Sequence, residues 1–585
     1  MSLQERTALI RTALGSEKAD LAIVNGTLVN VYTGELLERY GVAVKGKRIA
    51  YVGKDIGRTI GPDTEVIDAA GKYLVPGFID THAHMCFYCS ASEFLRYSMR
   101  GGTTTIVTEL IEMSFPLGYR GIVEYLESCR DQPVKVFGVI PPMLTPSSGA
   151  LSKAISKEQL RELLKRDDVL GLGEAYWLPT VEQDGRLLEL FEETLRAGKI
   201  VVGHSAGAKG NKLVAYAASG ATSCHEPITV EEVVERLRLG MYVLAREGET
   251  RQDLKVIAKI REMNLDLRRM ALVTDGIPLK ELVEKGHMEA VLQKAIDFGF
   301  DPVSAIQMVT LNAAEYLNLD DRIGGIAPGK DADIVIIPDL HNISAEYVIS
   351  NGRIIARHRE LLVQPRKHLF PEWTRRSIRL TKKYTPEDFL IRVADHVDSV
   401  EVRVIDQVTE LVTKEATMTV PLSEGMIKAE PERDLLKISA IDFQANPGKQ
   451  FVGLIRGLKM KKGALASSMA WDLTNIIAVG ADEADLALAV NRIIEMQGGV
   501  VACADGRILA ELQLPVGAYL SDAPIEELLR KSEKLQQAAF ELGFPFANVN
   551  LTLMTLTSPA IPFVRICEDG LFDVRTNKRV DFIIK

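Results

Sequence analysis

Two histidines separated by one residue follow a short apolar run in the segment Val75-Pro-Gly-Phe-Ile-Asp-Thr-His82-Ala-His84. The run from Tyr73 to Ile79 predicts a buried strand, and residues two apart in extended backbone point to the same side. His82 and His84 can therefore direct both imidazoles to one point beyond the strand end. The alternative is a pair of unrelated surface histidines, which is disfavoured because the 585 residues contain only nine histidines. Since imidazole is the commonest metal ligand among side chains, we predict a metal site here.

Four later strands also end in residues that can bind a metal. If these strands form a barrel, its active site lies at their carboxyl ends. With the first two histidines, the set contains four histidines and two carboxylates, more than the roughly four or five ligands of one metal. The residues therefore favour a pair of metals bridged by a carboxylate. For any single residue, the alternative is a structural histidine or a solvated acid. The ligands predicted at these strand ends are Glu174, His204, His225 and Asp275.

The strands that must position these ligands alternate with helices from residue 76 to about residue 320. Together with the histidine strand they number eight in about 250 residues, so a (β/α)8 barrel is the leading fold. A doubly wound sheet is the alternative, but it usually opens with a Gly-rich phosphate loop, which we do not find. The other predicted strands are Thr103–Val107, Val134–Ile140, Val169–Glu174, Ile200–His204, Ala221–His225, Met241–Ala245 and Ala271–Thr274.

The segments outside the barrel indicate further domains. Two β-rich segments flank the barrel and share a similar pattern of short alternating runs with turn residues, so we expect them to pack into one small composite β domain. The C-terminal part is too long to be a tail and predicts another α/β unit, with a long helix at 482–496 and turns that cover the barrel mouth. The predicted ranges are 1–20 for an N-terminal helix, 21–75 and 324–361 for a composite β-sandwich domain, 76–323 for the barrel, 362–375 for a linker and 376–585 for the C-terminal domain.

Composition excludes several functional classes. The chain is 46% hydrophobic and 25% charged, the balance of a soluble globular enzyme. Its net charge of -9 gives no electrostatic case for nucleic acid. The sequence shows no apolar run of about 18 residues and no signal-peptide core, so we expect no membrane association. Six cysteines without scaffold spacing are typical of a reducing cytoplasm. We expect a cytoplasmic homodimer or higher homo-oligomer that binds a small heterocycle.

Several motifs resemble the adenine deaminase family of the amidohydrolase superfamily. They include PGFIDTHAH, GHSAGAKGNKLVAYAASGATSCHE, IAPGKDADIVI and GALASSMAWDLTNIIAVGA, and the resemblance covers nearly the whole chain. It implies a distorted barrel with a binuclear site that holds two divalent ions, usually Mn, Fe or Zn. The resemblance assigns one ion to His82, His84, Asp275 and a bridging Glu174, and the other ion to Glu174, His204 and His225.

The activity implied by the resemblance is hydrolytic deamination of adenine or a related aminopurine, with release of ammonia. Asp275 is the candidate proton acceptor and Glu226 the candidate donor to a ring nitrogen. The alternative role of Glu226 is to orient the ligand beside it. Two alternatives to the activity remain: hydrolysis of another heterocycle or cyclic amide, and a non-catalytic descendant, which should have lost at least one metal ligand. No ligand is lost.

The chain departs from the family at several pocket positions while it keeps the six ligand positions. Three of the departures stand where the resemblance implies family histidines, namely Ile111, Trp471 and Thr474. The changes favour retained chemistry in a more apolar pocket, although a distant but still adenine-specific member is the alternative. The departing positions are 85–88, 109–111, 224, 276, 471 and 474. The predicted substrate contacts are Phe87, Tyr176, Trp177, Trp471 and Asp472.

Overall fold

The computed structural model describes residues 1–393 and 397–584 and begins with a helix packed on a β sheet. Helix Leu3–Ala13 starts at a capping box, in which the side chains of Ser2 and Glu5 each accept a hydrogen bond from the other's backbone N–H. Such a box satisfies N–H groups that the first helical turn cannot. The sequence-predicted N-terminal helix is therefore present.

One nine-stranded sheet joins the two segments that flank the barrel. Strand Tyr73–Pro76 pairs in parallel with Leu21–Asn30 and antiparallel with Ile334–Ile337, which follows the barrel. Apolar side chains from both flanks, among them Leu28 and Leu74, pack into one cluster, so the two segments predicted to form a composite β-sandwich share a single sheet. The remaining strands of this sheet are Glu35–Lys45, Arg48–Gly53, Glu65–Asp68, Tyr347–Ser350, Arg353–Arg357 and Glu360–Leu361.

Eight parallel strands form the barrel in two hydrogen-bonded runs, β1 to β5 and β6 to β8. At one seam the N–H of Thr222 donates to the carbonyl of Val201 at 3.0 Å, and at the other the N–H of Asp275 donates to the carbonyl of His82 at 3.0 Å. The sheet thus closes, which confirms the barrel and excludes the doubly wound alternative. The strands are β1 Phe78–Ala83, β2 Thr103–Glu109, β3 Lys135–Ile140, β4 Val169–Tyr176, β5 Ile200–His204, β6 Ser223–Cys224, β7 Tyr242–Arg246 and β8 Met270–Val273.

The inside of the barrel is a packed apolar core. Ile79, Val107, Val139, Val202 and Val273 belong to one buried cluster, as expected for a closed barrel. Helices cover the outside of the strands and bury their own apolar faces. Among the described residues, none of the helices has the length and apolar character to cross a membrane. The helices are Ala91–Ser98, Ile111–Cys129, Ser148–Leu151, Lys157–Leu164, Trp177–Val181, Gly185–Arg196, Gly210–Ala218, Val230–Arg238, Leu254–Ile257, Leu279–Glu284, Met288–Asp297, Pro302–Met308 and Leu311–Tyr316.

The C-terminal region is an α/β unit with an eight-stranded, mainly antiparallel sheet. The predicted long helix is present as Glu483–Met496, and the side chain of Asp482 caps its first turn. The sheet strands are Ser399–Gln407, Thr413–Pro421, Leu436–Asp442, Gln450–Arg456, Ala464–Ser467, Asn475–Gly480, Gly499–Ala504 and Arg507–Gln513. Two further helices, Ile525–Glu541 and Val549–Thr555, precede the three-stranded sheet Val564–Cys567, Gly570–Asp573 and Lys578–Val580.

The C-terminal region docks onto the mouth of the barrel. Its strand Leu520–Ser521 pairs in parallel with Tyr88–Cys89, in the loop that follows β1. Tyr88 also donates its hydroxyl to Glu249 at 2.9 Å, and Asn548 donates to the same carboxylate at 2.8 Å. Loops after β1 and β7 are thereby tied to the C-terminal region, so the site at the barrel mouth is built from both parts of the chain.

Candidate metal centre and substrate cavity

Six side chains from five different barrel strands or strand ends meet at the carboxyl end of the barrel. β1 carries the first histidine and is followed by the second, and β4 and β5 each carry one ligand. One of the other two directly follows β6, and the last lies two residues after the end of β8. All six side chains are buried. The structure therefore brings together every predicted metal ligand, namely His82, His84, Glu174, His204, His225 and Asp275.

The first group of ligand atoms lies around His82 and His84. Their Nε2 atoms are 3.4 and 3.5 Å from Oε1 of Glu174. The same two nitrogens lie 3.1 and 3.4 Å from Oδ1 of Asp275. Two imidazoles and two carboxylates thus face one point, which is the donor set of a metal site rather than of an apolar core.

The second group shares the same glutamate and faces both of its carboxylate oxygens. Oε2 of Glu174 is 3.9 Å from Nδ1 of His204, and its Oε1 is 3.6 Å from Nε2 of His225. The two histidine nitrogens are 3.1 Å apart. Because Glu174 belongs to both groups, its carboxylate is placed where a bridging ligand must be.

This donor set fits divalent metal ions. Carboxylate oxygens and imidazole nitrogens that face one another at 3.1–3.9 Å bring lone pairs and negative charge together, and a cation at the centre removes that repulsion. Mixed imidazole and carboxylate ligands suit Mn, Fe and Zn alike. The residues therefore agree with the metal dependence that the sequence predicted, without selecting one element.

The turn after β8 holds Asp275 in an unusual backbone conformation. Its φ is 52°, in the left-handed region, and Gly276 follows with a φ of 85°. Thr250 donates its hydroxyl to Oδ2 of Asp275 at 2.6 Å, which leaves Oδ1 facing the two histidines. Left-handed backbone costs an ordinary residue about 1–3 kcal/mol and persists where surrounding contacts enforce it, often at functional sites.

Two buried carboxylates contact the candidate ligands, Glu109 at the end of β2 and Glu112 in the helix that follows it. Oε1 of Glu112 lies 2.5 Å from Nδ1 of His84 and accepts a hydrogen bond from it. Oε1 of Glu109 accepts the backbone N–H of Glu174 at 3.2 Å and lies 3.7 Å from Nδ1 of His82. Burial and the nearby Glu174 raise the pKa of Glu109. The sequence placed both carboxylates at a strand end but did not assign them these roles.

We expect Glu112→Gln to weaken metal binding about 10- to 100-fold. The carboxylate fixes the orientation of His84 and raises its basicity, and loss of such a partner typically costs that much affinity. Metal titration followed by calorimetry measures the effect. Glu127→Gln, near the end of the same helix and on its surface, is the matched control and should bind metal as the unaltered chain does. Equal affinities of the two variants would contradict the supporting role.

Arg246 is a site residue that the sequence did not single out. Its buried guanidinium places Nη1 at 2.5 Å from Oε1 of Glu226 and at 3.2 Å from Oδ2 of Asp275. Nη2 lies 3.5 Å from Oδ2 of Asp253, on the loop after β7. Its position in the sequence could have indicated this role, because Arg246 is the last residue of β7, as the candidate ligands lie at the ends of other strands. It links the two candidate proton-transfer carboxylates.

Glu226 lies beside the second ligand group. Its Oε1 is 3.2 Å from Nε2 of His225. Burial raises the pKa of Glu226, but the Arg246 guanidinium and neighbouring imidazoles outweigh burial and hold that pKa below its usual range. The carboxylate is therefore ionised at neutral pH and must first accept a proton before it can donate one.

A cavity of about 280 Å³, here called the central cavity, opens onto the ligands. Its walls combine ligands with apolar side chains such as Ile111 and Ile228 from the barrel and Leu411 and Ile561 from the C-terminal region. Trp471 completes the wall, and among the described residues its buried Nε1 has no hydrogen-bond partner. The pocket is thus closed by the C-terminal region, as the sequence predicted.

The predicted substrate contacts occupy different places. Tyr176 and Trp471 line the central cavity, whereas Trp177 lines a neighbouring chamber. The ring of Phe87 stacks on His84 at a centroid distance of 5.0 Å and lies outside the cavity wall. Asp472 also lies outside this wall.

Asp472 connects the C-terminal region to the barrel. It accepts hydrogen bonds from the hydroxyl of Tyr176 at 2.9 Å and from that of Ser558 at 2.8 Å. Burial raises the pKa of Asp472 to about 8. Tyr176 and Ser558 both line the central cavity, whereas Asp472 does not. Asp472 therefore positions two residues of the cavity wall through its hydrogen bonds.

Some of the positions that depart from the family line the central cavity, and others lie outside its wall. Ile111 and Trp471, which replace two family histidines, both line the central cavity. Thr474, by contrast, donates to Asp442 at 2.8 Å and lies outside the cavity wall. A Cβ at Gly276 would lie 3.2 Å from the ring of Phe87, so the absence of a side chain there leaves room for that ring. The apolar change of the pocket therefore comes from two residues.

Comparisons with known proteins give full-length similarity. Residues 73–355 match the amidohydrolase family, and residues 410–578 match the adenine deaminase C-terminal domain. The chain is 37% identical to an adenine deaminase of Moorella thermoacetica, over 98% of this chain and 97% of that one. It is 34% identical to an adenine deaminase of Cenarchaeum symbiosum, over 98% and 94%. A β-aspartyl dipeptidase structure from Fervidobacterium islandicum aligns with 59% of this chain and 97% of that one, with a TM-score of 0.47 and 18% identity.

Proposed function

This chain belongs to the adenine deaminase family of the amidohydrolases and hydrolyses adenine or a related aminopurine to release ammonia; we propose that the six convergent ligands hold two divalent ions for this reaction. The observation that carries the proposal is that Glu174 is shared by both ligand groups. His82, His84 and Asp275 complete one group, and His204 and His225 complete the other. When bound, divalent ions act as Lewis acids and make water a nucleophile near neutral pH.

The two candidate proton carriers are the carboxylates that Arg246 connects. Asp275 keeps Oδ1 toward the ligand centre, while Thr250 and Arg246 hold Oδ2. It is placed to accept a proton from the attacking water. Glu226 borders the central cavity, is ionised, and can take up a proton and deliver it to a ring nitrogen. The water oxygen forms a bond to C6, the C6–N bond breaks, and the nitrogen leaves as ammonia.

The apolar wall favours a related aminopurine over adenine itself. Ile111 and Trp471 offer one hydrogen-bond donor, Nε1 of Trp471, where two family histidines offer more. A polar purine edge that loses partners on binding is costly to bury. We therefore expect adenine to be turned over but not to be the best substrate. If the unaltered chain deaminates adenine with a kcat/KM of about 10⁵ M⁻¹s⁻¹ or more, an ordinary value for an enzyme, this expectation is wrong.

Trp471→His should raise kcat/KM for adenine relative to the preferred substrate. The substitution returns a polar side chain to the cavity wall, where it can pair with the purine edge. Thr474→His is the comparison variant, because Thr474 is bound to Asp442 outside the cavity wall and should give no such gain. Steady-state rates of both variants on adenine and on N6-substituted adenines measure the ratio. No rise with Trp471→His would mean that this wall does not set substrate choice.

A substrate panel of purines, pyrimidines and cyclic amides tests the proposed function on metal-reconstituted protein. Ammonia release from aminopurines is the expected result. Ring opening of a cyclic amide without ammonia release would instead support the alternative heterocycle hydrolase.

We also propose, from the sequence alone, a cytoplasmic location and a homodimeric or higher assembly. Light scattering measures the assembly, and a monomer at micromolar concentration would contradict it.

A further inference from the structure

A second cavity of about 530 Å³, here called the outer chamber, adjoins the central cavity. Both are bordered by His204, a candidate metal ligand, and by Tyr176 beside it. The two cavities are therefore neighbours at the ligand centre, and His204 forms part of the wall of both. The other residues that border both are Ala206, Gly207, Ala560 and Pro562.

Most of the outer chamber wall is apolar. Trp177 follows β4, and Phe563 and Phe572 come from the C-terminal region. Nε1 of Trp177 donates to the carbonyl of Ala206 at 2.8 Å, which holds the indole in place. Flat apolar walls of this kind accept an alkyl or aromatic group.

Two cations border the chamber without an acidic partner among the described residues, Arg186 and Lys212. Nη2 of Arg186 donates to the carbonyls of Pro142 at 2.7 Å and Met143 at 3.2 Å, and its buried Nη1 has no hydrogen-bond partner in residues 1–393 and 397–584. Nζ of Lys212 lies 5.4 Å from the centre of the Trp177 ring. An apolar chamber with two such cations is suited to a ligand with an anionic end.

The other charged side chains of the chamber are engaged elsewhere. Asp184 accepts the backbone N–H of Leu187 at 2.8 Å and so caps the helix that carries Arg186. Arg575 is paired with Asp573 at 3.1 Å. Asp184 keeps its negative charge near Arg186, but Arg186 and Lys212 together outnumber it, so the net charge of the chamber wall is positive.

We propose that the outer chamber binds an acidic substituent on the exocyclic nitrogen, so that the preferred substrate is an aminopurine with an N6-linked carboxylate. The inference rests on the proposed function. Because the chamber begins at His204, the part of a bound aminopurine next to it is the nitrogen on the reacting carbon. The water oxygen forms a bond to C6, the C6–N6 bond breaks, and the nitrogen leaves with a proton as a carboxylate-bearing amine beside hypoxanthine.

The test compares matched purines on the metal-loaded full chain. Adenine, N6-benzyladenine, N6-(4-carboxybenzyl)adenine and adenosine monophosphate are assayed for the hydroxypurine product. We expect kcat/KM for the carboxybenzyl compound to exceed that for the benzyl compound about tenfold or more, the scale of one charge-assisted hydrogen bond. Calorimetric binding of both compounds to metal-free protein gives a second readout that does not depend on turnover, and the same order of affinity is expected.

Variants of Arg186 and Lys212 test whether these two cations bind the carboxylate of the substrate. Arg186→Met and Lys212→Met should each reduce the carboxybenzyl-to-benzyl ratio toward one. Arg196→Met, at the other end of the same helix and exposed, is the matched control and should leave the ratio as it is. Since Arg186 also binds two backbone carbonyls and its variant can lose stability, Lys212→Met, on an exposed residue, keeps the test decisive.

The outcomes separate this inference from the proposed function. Equal kcat/KM for the carboxybenzyl and benzyl compounds, in a chain that deaminates adenine, overturns only the inference. A preference for adenosine monophosphate over the carboxybenzyl compound also overturns it, because the anion would then be attached to a ring nitrogen. No product from any purine, adenine included, would contradict the proposed function itself.

Discussion

His82→Ala and Asp275→Asn are each expected to lower kcat/KM for aminopurine deamination by about 10³-fold or more. Both residues belong to the first ligand group, where their facing atoms lie 3.1 Å apart. Lewis-acid stabilisation by a bound ion contributes several kcal/mol, and each 1.36 kcal/mol corresponds to about tenfold in rate. Asp275→Asn also removes the candidate proton acceptor, so it should be the more damaging of the two. Steady-state rates after reconstitution with excess metal measure both effects.

His368→Ala is the matched control for the histidine variant. His368 pairs with Glu124 at 2.7 Å on the linker that follows the composite β domain, away from the ligands. Thermal melting and circular dichroism of all three variants separate loss of chemistry from loss of folding. If a folded His82→Ala or Asp275→Asn chain keeps near-normal activity, the hydrolase mechanism based on these ligands is wrong.

If the six residues hold two ions per chain, as proposed above, Glu174→Gln is expected to lower the tightly bound metal to fewer than one ion per chain. Its carboxylate faces histidines of both ligand groups, at 3.4 Å from His82 and 3.9 Å from His204. A neutral amide offers one oxygen and no charge, so it cannot neutralise two cations at once. Activity should fall with the metal, because the nucleophile depends on both ions. Elemental analysis after dialysis gives the metal content directly.

Glu189→Gln provides the control for this charge change. Glu189 is exposed on helix Gly185–Arg196 and pairs with Lys157 at 3.2 Å, so its substitution should leave the metal content unchanged. Two tightly bound ions in the Glu174→Gln chain would show that Glu174 does not bridge them. Loss of one ion with the other retained at full affinity would assign it to a single site.

The barrel and the convergence of six candidate metal ligands could be predicted from the sequence. Alternating strand and helix patterns locate the ends of β2 to β8 within a residue or two. The first strand is the exception, because the predicted run Tyr73–Ile79 divides into Tyr73–Pro76 of the nine-stranded sheet and β1, Phe78–Ala83, which itself contains His82. A parallel barrel brings all carboxyl ends of its strands to one face. The position of a residue relative to a strand end therefore determines which side chains can meet. His204 and Asp275 were predicted as candidate ligands because they lie at the ends of predicted strands.

The charge network around the ligands depended on tertiary structure. Arg246 and Asp275 lie at the ends of neighbouring strands, but the angle at which a guanidinium crosses to Glu226 depends on rotamers and loop paths. Glu112 faces His84 only because the helix after β2 begins beside the loop after β1. Periodicity describes which face of an element is buried and carries no information on such directions.

The substrate cavities were decided by the docking of the C-terminal region onto the barrel. Phe87, Trp177 and Asp472 were predicted substrate contacts, yet the central cavity wall contains none of them. The outer chamber forms where residues 144–151, 176–186 and 559–577 meet. The last of these segments lies hundreds of residues after the other two in sequence, and packing between whole domains sets its approach. The sequence by itself therefore determined which six candidate ligands meet at the barrel mouth, whereas only the tertiary structure decided the shape and charge of the cavities beside them.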